Sequence, residues 1–422
     1  MTLSLVPELA AADAQMLRSH LLSEASRCLH EAEGALRHRY VTPTAAVSAG
    51  ADDDAAVSQR STVGHYLQMY DWDACFFSQV ASKLKVADGA FALLPMEIVS
   101  NFLGFQQADG HLPRTISPHR IWDSGDVCKP FLCQTLLSTG HAQVEEPVLE
   151  SLDKYLSYFY DTRRDHSGLY RWRNVLESGV DNNLALLAPI EAAKDENFDH
   201  KIFPDGQLLA CDLSAYLFAE FSSFAEIART SGSQELAFIY DQRAREVQDA
   251  IETHLWNPAL SLYCNLDPRN GELVAVRCWT GMAPVFSGAA SAERSSEVIE
   301  QNLLSEEHFL RPAGVVSVAA SERLYNPARR GLYGRVLVSN WQGPVWVLIN
   351  GLAVRCLARL GYGDAAANIS LRMVNTLIND LKVSGTLHEN YHGETGAALF
   401  APAFVSWNIM ALEMLDLLAA RR

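Results

Sequence analysis

The sequence predicts an all-α fold, an (α/α)6 barrel in which a toroid of about twelve helices carries long loops on one face. Three observations support this prediction: apolar residues recur with helical periodicity along most of the chain, short Gly or Ser turns join several neighbouring segments, and the other connections are long. The chain has 422 residues, of which 49% are hydrophobic, so it can bury a large core. We expect residues 1–422 to form a single domain.

The helical pattern is clearest at 235–255, ELAFIYDQRAREVQDAIETHL, where the apolar residues form one stripe and most charged residues lie away from it. Comparable segments lie near 13–36, 73–86, 90–106, 128–139, 145–160, 183–194, 210–230, 291–304, 344–361, 363–381 and 403–420. Strand-like alternation is limited to short pieces such as 262–266 and 273–277. A solenoid of helical repeats is the alternative, but the sequence has no fixed repeat period to support it.

The connections between these segments differ in length. Short turns at 230–233 and 361–363 predict antiparallel helical hairpins. Longer connections, rich in aromatic, acidic and Gly residues, lie at 41–72, 107–127, 161–182, 195–209, 256–290, 305–343 and 382–402. If short and long connections alternate, the long ones gather on one face and form a pocket there. Because 42–60 is rich in Ala, Asp and Ser without periodicity, we predict a mobile surface loop at 41–63, either a disordered excursion or a lid.

The composition excludes several classes of function. Lys and Arg total 34 against 50 Asp and Glu, so a net charge of −16 makes nucleic acid and anionic membranes poor partners. The N-terminus carries Glu8 and Asp13 where a signal peptide would be positive and then apolar, and no apolar run is long enough to span a bilayer. None of the eight cysteines forms a CxxC pair. These features predict reduced, buried thiols and a cytoplasmic location.

The motifs that are missing exclude several chemistries. The sequence contains no HExxH, no His/Cys pair at zinc-finger spacing and no EF-hand loop. It also lacks a GxGxxG fingerprint, a Walker P-loop and a GxSxG elbow. We therefore predict that no metal and no other cofactor is required.

Five stretches in or beside the long loops combine Trp, Tyr or Phe with Asp, Glu, Asn or Gln. They are QMYDWDACFF (68–77), ADGHLPR (108–114), YRWRNVLESGVDNN (170–183), SNWQGPVWVLIN (339–350) and TLHENYHGETG (386–396). Sugars need this mixture, because their apolar C–H faces lie on aromatic rings and their hydroxyls need fixed donors and acceptors. Cleavage of a glycosidic bond needs two carboxyl groups, one to protonate the leaving oxygen and one to act on water or on the anomeric carbon.

Each stretch also has a structural interpretation. Asp181 and Asp73 could cap helices, Trp72 and Trp346 could be core residues, and Glu389 could be a solvated loop acid. The occurrence of all five stretches on one helical fold favours a sugar site over five unrelated structural roles.

In chain order, these motifs resemble those of glycoside hydrolase family 63 and its trehalase relatives, inverting enzymes built on an (α/α)6 barrel. The matching motifs are Trp72-Asp73-x-x-Phe76, Asp109-Gly110-His111-Leu112-Pro113, Glu177-Ser178-Gly179-Val180-Asp181-Asn182, Trp341-Gln342-Gly343-Pro344-Val345-Trp346, Glu389-Asn390-Tyr391 and Ser406-Trp407. The resemblance spans residues 66–415, and it is greatest to bacterial mannosylglycerate and glucosylglycerate hydrolases.

The resemblance implies a role for each motif. Asp181 would be the general acid and Glu389 the general base that activates water. Trp72 and Asp73 would hold the sugar at the cleaved bond. The other residues that we expect to bind substrate are Tyr70, Phe76, Lys129, Gln134, Trp172, Glu177, Gly179, Asn182, Trp341, Gln342, Trp346, Tyr391 and Trp407. A Trp-lined pocket would raise the pKa of Asp181 by desolvation, as a general acid requires.

The sequence departs from the family pattern at two places. Many relatives have Trp before Glu-Ser-Gly, where this chain has Leu176, and Trp172 is a candidate replacement. Many also read Gln-Pro-Pro before an inner helix, where this chain has Lys129-Pro130-Phe131. A Lys beside a sugar pocket suggests an anionic aglycone such as glycerate, whereas a structural ion pair is the alternative interpretation of Lys129. Other candidates to bind that charge are Arg114, Arg173 and Arg335.

These inferences predict an inverting α-glycoside hydrolase acting on glucosylglycerate or mannosylglycerate. An α-glucosidase that cleaves a neutral disaccharide such as trehalose is the alternative within the same reaction class. A sugar epimerase on the same barrel would use His as acid and base. A sugar-binding protein without catalysis would bind through the aromatic residues and cleave no glycoside.

Overall fold

The computed structural model describes residues 8–45, 66–84, 89, 91–119, 125–140, 143–187, 207–328 and 339–421, and helices dominate these ranges. The α-helices are α1 (Ala11–Cys28), α2 (Asp71–Ala81), α3 (Leu94–Leu103), α4 (Leu132–Leu137), α5 (Glu146–Thr162), α6 (Leu184–Leu187), α7 (Cys211–Thr230), α8 (Gln234–His254), α9 (Ala283–Ser287), α10 (Ala292–Val298), α11 (Val347–Arg359), α12 (Gly363–Ser384) and α13 (Ala411–Ala420). Short 3-10 helices at Trp279–Met282 and Trp407–Met410 precede α9 and α13.

Six helices form a closed inner ring. In order around the ring, α2 packs against α4, α4 against α7, α7 against α9, α9 against α11, and α11 against α13. The 3-10 helix Trp407–Met410 contacts α2 and closes the circle. The helices between them in the sequence form the outer layer, for example α3 on α2, α8 on α7 and α12 on α11. The predicted (α/α)6 barrel is therefore confirmed.

The two layers differ in their apolar patterns, as their positions require. Every residue of inner helix α2 is buried, because neighbours surround it on all sides. Outer helix α8 buries one stripe only, which consists of Ala237, Tyr240, Ala244, Val247, Ala250 and Ile251. Residues three and four apart share a helix face, so this stripe packs on the inner ring while the remaining side chains face solvent.

Short antiparallel strands organise the connections. They are β1 (Leu29–His30), β2 (Tyr40–Val41), β3 (Met69–Tyr70), β4 (Thr115–Ile116), β5 (Trp256–Asn257), β6 (Leu262–Tyr263), β7 (Leu266–Asp267), β8 (Glu272–Leu273), β9 (Leu310–Arg311), β10 (Gly314–Val315), β11 (Val345–Trp346), β12 (His388–Tyr391) and β13 (Ala398–Pro402). β11, β12 and β13 form a three-stranded sheet in which Trp346 pairs with Asn390. The other described sheets are two-stranded.

The sequence prediction missed one inner helix. Helix α9 lies inside the predicted long loop 256–290 and has only five residues. Pro284 stands in its first turn and Gly288 ends it in the left-handed conformation, so the segment is too short to show periodicity. The predicted helix at 403–420 is divided into a 3-10 helix and α13.

The structure also bears on the predictions made for the cysteines, for membrane spans and for the loop at 41–63. All eight cysteines are buried and unbridged, as predicted. Within the described ranges, no helix combines the length and the apolar character that a transmembrane span needs. Residues 46–63 of the predicted mobile loop lie outside the described part of the chain, as do Arg335 and the second half of the predicted helix 183–194.

Candidate active site

Glu389 lies on β12, the central strand of the three-stranded sheet. We call the region formed by this sheet, the loop that carries Asp181 and the residues that contact them the mouth of the barrel. Its side chain is buried, and its Oε1 accepts a hydrogen bond of 3.1 Å from the hydroxyl of Tyr66. Its Oε2 is enclosed and has no hydrogen-bond partner among the described residues. Burial raises the pKa of Glu389 well above its usual range, and the charges of Asp73 and Asp181 raise it further, while the Tyr66 hydroxyl opposes the shift.

Asp181 lies on the loop that precedes helix α6 and is half-buried. Asn183, rather than Asp181, stands directly before that helix, because α6 begins at Leu184 and the side chain of Asn183 accepts a hydrogen bond of 2.9 Å from the Ala185 N–H. The charge of Asp181 raises the pKa of Glu389 and of Tyr66. The two predicted catalytic acids are therefore close enough to interact electrostatically.

Glu177 anchors the loop that carries Asp181. Its carboxylate is completely buried and accepts hydrogen bonds from the Arg163 guanidinium at 2.8 Å, the Val127 N–H at 3.1 Å and the Arg173 N–H at 2.5 Å. We expected Glu177 to bind substrate. The structure instead directs its carboxylate into the protein, where three donors occupy it.

Gly179 forms the turn between Glu177 and Asp181. Its φ is +77°, a conformation that favours glycine. A Cβ at this position would lie 2.7 Å from Cε of Lys129 and 2.8 Å from the indole of Trp72. The Glu-Ser-Gly motif is thus explained by close packing of the loop on these two side chains.

Asn182 joins the Asp181 loop to the loop at 339–346. Its side chain accepts a hydrogen bond of 2.6 Å from the Trp341 N–H and donates one of 3.0 Å to Asn340. The amide of Gln342 donates to the Asn182 carbonyl at 3.2 Å. Asn182, Trp341 and Gln342, all expected at the sugar site, therefore meet in one polar junction beside Asp181.

Tryptophan rings form a cluster at the centre of this mouth. Trp341 stacks on Trp346, with ring centroids 3.7 Å apart and planes inclined by 5°. Trp72 lies 5.7 Å from Trp341 and 5.8 Å from Trp407. Trp279 stacks on Trp341 from another side, at 5.9 Å. Trp346 is fully buried beneath Trp341, whereas Trp72 and Trp407 keep a small exposed edge.

Tyr70 and Asp73 bring further polar groups to the same mouth. The pKa of Tyr70 is raised to about 12 by burial, with contributions from the charges of Asp73, Asp181 and Glu389. Asp73 accepts a hydrogen bond of 2.6 Å from the Ser406 hydroxyl. Burial raises the pKa of Asp73 to about 7, although that hydroxyl opposes the shift. Tyr70, Asp73, Asp181 and Glu389 therefore share one electrostatic environment.

Lys129 is completely enclosed and forms an ion pair with Asp71, whose Oδ2 lies 3.0 Å from its ammonium. Burial lowers the pKa of Lys129, and the Asp71 carboxylate opposes that shift. This geometry favours the structural interpretation of Lys129 over direct binding of an anionic aglycone.

Other residues expected at the site lie behind it. Gln134 donates to Glu220 at 3.1 Å, and Glu220 also accepts from the Cys133 N–H at the start of α4. Trp172 donates its indole N–H to Asp212 at 3.0 Å. Phe76 packs on Phe131, and Tyr391 donates its hydroxyl to Asp380 at 3.0 Å. Gln134, Trp172, Phe76 and Tyr391 thus shape the barrel wall and hold β12 in place.

Sequence reasoning missed two residues of the mouth. Tyr66 lies six residues before Trp72, at the end of a stretch without periodicity, and no motif marked it. Trp279 lies in the 3-10 helix before the short helix α9, which was itself assigned to a loop. An aromatic residue just ahead of the Trp72 motif was the available signal for Tyr66.

Arg114 is the cation associated with the acids of the mouth. It is half-buried, its Nη1 donates to the Leu176 carbonyl, and its Nε is enclosed with no partner among the described residues. Burial alone would lower the pKa of Arg114, but the charges of Asp71 and Asp181 outweigh it and the pKa is raised. Arg173 is exposed and donates to the Gly125 carbonyl at 2.9 Å.

In the described ranges, no three His, Cys, Asp or Glu side chains are grouped so that they could hold a metal ion. The arrangement instead offers two interacting carboxyl groups, a wall of indole rings and one arginine.

Comparison with known sequences gives a family match. A family model described as the mannosylglycerate hydrolase MGH1-like glycoside hydrolase domain matches residues 98–407. The mannosylglycerate hydrolase of Rubrobacter radiotolerans is 27% identical over 225 residues, which cover 52% of this chain and 48% of that protein. The periplasmic trehalase of Salmonella paratyphi B is 23% identical over 219 residues, 50% of this chain and 35% of that protein. The matches thus span half or less of these curated relatives.

Comparison with solved structures extends the similarity to nearly the whole chain. The GH63 mannosylglycerate hydrolase from Thermus thermophilus, in complex with glucose, gives a TM-score of 0.68 at 18% identity and covers 95% of this chain and 99% of that one. The neutral trehalase from Saccharomyces cerevisiae gives a TM-score of 0.58 at 12% identity, covering 84% of this chain and 73% of that one. At these identities the likeness shows a common fold.

Proposed function

This chain belongs to the mannosylglycerate hydrolase MGH1-like glycoside hydrolase family, and from that premise we propose that it is an inverting α-glycoside hydrolase. In this proposal Asp181 is the general acid and Glu389 is the general base. The barrel acts as one catalytic domain on a small glycoside in the cytoplasm, without a metal.

The observation that carries this proposal is the electrostatic coupling of two acids from distant parts of the chain. The charge of Asp181 helps to raise the pKa of Glu389, and both charges help to raise the pKa of Tyr70. In inverting glycosidases the two carboxyl groups stand roughly 6.5–9.5 Å apart, which leaves room for a water molecule. The coupling supports a mechanism in which both acids act on one bond, and the separation of their oxygens is the quantity that such a mechanism fixes.

The surroundings of the two acids support the division of roles. Glu389 is buried, with Oε1 oriented by the Tyr66 hydroxyl and Oε2 left to accept a proton from water. Its raised pKa makes it a stronger base once it is ionised. Asp181 is half-buried on a loop, where it can meet a leaving group that enters from solvent.

Arg114 supports glycerate as the leaving group. The Thermus thermophilus enzyme has a crystal structure in complex with Tris and D-glycerate. In this chain Arg114 is half-buried, and its charge is coupled to that of Asp181. An arginine beside the general acid can hold a carboxylate on the departing side of the cleaved bond. We assign glucosylglycerate or mannosylglycerate as the substrate on this basis.

Similarity to trehalases supports a second candidate, a neutral disaccharide such as trehalose. An epimerase would require a catalytic His, and His388, which lies beside Glu389, has its Nδ1 3.0 Å from an oxygen of Asp380. The coupling of Asp181 with Glu389 supports hydrolysis as the first candidate.

The decisive experiment is a panel of α-glycosides followed by proton NMR of the first sugar anomer released. We expect hydrolysis of a glycerate glycoside with the β-anomer formed first. Release of the α-anomer first would contradict inversion, and cleavage of no glycoside would overturn the proposal.

Substrate class is tested by Arg114→Gln. We expect its KM to rise by about tenfold for a glycerate glycoside and to change little for trehalose, because one charge-assisted hydrogen bond is lost. Arg173→Gln is the matched control, since Arg173 is exposed and bonded to a backbone carbonyl. Equal effects of Arg114→Gln on both substrates would remove the argument for glycerate.

A further inference from the structure

We propose that Lys129 is a positioning residue for the reaction: through its buried ion pair with Asp71 it holds the turn that carries Asp181. The inference rests on the proposed function, because glycoside hydrolysis is its readout.

The ion pair is tied to the backbone at both ends. The ammonium of Lys129 lies 3.1 and 3.0 Å from the two carboxylate oxygens of Asp71. The same carboxylate accepts the N–H of Lys129 at 2.8 Å and the N–H of Trp72 at 2.8 Å. The exposed fractions of the two side chains are 0% and 1%. One carboxylate therefore fixes both the start of α2 and the segment before α4.

The Lys129 side chain also packs against the loop that carries Asp181, at the turn formed by Gly179. Its ammonium lies 4.6 Å from the ring centroid of Trp72, in a cation–π contact. A Cβ on Gly179 would lie 2.7 Å from Cε and 3.0 Å from the ammonium of Lys129. Gly179 stands two residues before Asp181, so a shift of the lysine would displace the turn that sets the position of the acid.

Stability alone does not account for this arrangement. A buried ion pair often contributes no more stability than uncharged residues of similar size, because desolvation offsets the attraction. What the pair does provide is a fixed distance between three segments, the start of α2, the approach to α4 and the turn at Gly179. This fixed geometry can affect the rate of reaction, because a displacement of a catalytic group by about 1 Å can lower the rate on the order of a hundredfold.

The test uses the double variant Asp71→Asn, Lys129→Met, which removes both buried charges together. Lys129→Met alone leaves the Asp71 charge buried and unpaired, so the double variant is the one expected to keep the fold. We expect its kcat for the α-glycoside to fall on the order of a hundredfold, with KM changed by less than about threefold. For the matching α-glycosyl fluoride, whose leaving group needs little protonation, we expect the loss to stay within about tenfold.

The control is Arg39→Met with Glu97→Gln, a partly exposed ion pair between the segment before α2 and helix α3. This variant should lose stability without changing either rate. A double variant at Asp71 and Lys129 that keeps the wild-type kcat, or that loses equally on the glycoside and the fluoride, would overturn the inference and leave the proposed function standing. If wild-type enzyme cleaves neither substrate, the proposed function fails and the inference fails with it.

Discussion

The two proposed catalytic acids lie in regions of different structure, Glu389 on a paired strand and Asp181 on a loop. Glu389 lies on β12, which pairs with β11 on one side and β13 on the other, and its side chain is buried. Asp181 is half-buried on a loop that side-chain bonds hold in place, chiefly those of Glu177 and Asn182. One acid is thus fixed by a strand ladder and the other by a few buried polar groups.

This difference in structure matches the different roles that we propose for the two acids. The attacking water is the same for every substrate, so the group that activates it can be fixed rigidly. The leaving group differs between substrates, and Asp181, the acid proposed to protonate it, lies on a loop, where variation is tolerated. Substitutions in the two regions should therefore differ in how strongly their effects depend on the leaving group.

The largest effect is expected for Glu389→Gln. We expect kcat to fall roughly 10³–10⁴-fold for both an α-glycoside and the corresponding fluoride, because both need an activated water. Tyr391→Phe, on the same strand, is the control for damage to β12, because it removes a hydroxyl that donates to Asp380 and accepts from the His388 N–H, and it leaves the Glu389 carboxyl group in place. Steady-state rates on the two substrates provide the measurement. A selective loss on the glycoside alone would argue against the assignment of the base.

Asp181→Asn should have the next largest effect. We expect a loss of roughly 10³-fold on the α-glycoside and about tenfold or less on the fluoride, because fluoride departs with little help from an acid. The melting temperature should stay near that of wild type, since the side chain is half-buried and Asn has the same size. Similar losses on the two substrates would show that Asp181 does not act on the leaving group.

Glu177→Gln, four residues earlier in the same loop, should act on stability. Its carboxylate pairs with Arg163, whose side chain is 12% exposed, so the variant leaves a buried charge without its counter-ion. We expect the free energy of unfolding to fall by about 3 kcal/mol, measured by urea denaturation. The neighbouring Glu246→Gln, which breaks the exposed pair with Arg164, should cost less than about 1 kcal/mol. Equal costs would mean that Glu177 does not anchor the loop.

The smallest effect concerns the pH profile of kcat/KM. In the proposed mechanism Glu389 must be ionised to act as the base, so activity should rise with pH through the pKa of Glu389 and fall as pH drops below it. The Tyr66 hydroxyl holds that pKa down, so Tyr66→Phe should move the acidic limb to higher pH. The charge of Asp73 raises the same pKa, so Asp73→Asn should move the limb to lower pH, whatever its effect on sugar binding. Shifts in the same direction would rule out this coupling.

Long elements with a clear apolar period could be predicted from the sequence, whereas short elements and the directions of side chains could not. Helix α8 has a long apolar stripe, so its limits were predicted within a residue or two. Helix α9 has five residues and no measurable period, so its segment was taken for a loop. The predicted acids do lie at one mouth, because the closed ring of helices brings together segments that are far apart in sequence. Glu177 belongs to the same motif as Asp181, and Lys129 stands where the chain departs from the family pattern, but both side chains are buried away from solvent. Local sequence does not reveal the direction of a side chain that a tertiary partner decides.

The closure of the inner ring has a consequence for biosynthesis. The 3-10 helix at Trp407–Met410 contacts α2, so the ring is completed by segments from opposite ends of the fold. Contacts between residues this distant in sequence form late and slow the folding of the chain. A ribosome-bound intermediate that has emerged only as far as α11 contains Asp181 but lacks Glu389 and the last wall of the mouth. With the proposed catalytic roles, such nascent chains would be inactive, and hydrolysis would begin only when the ring is complete.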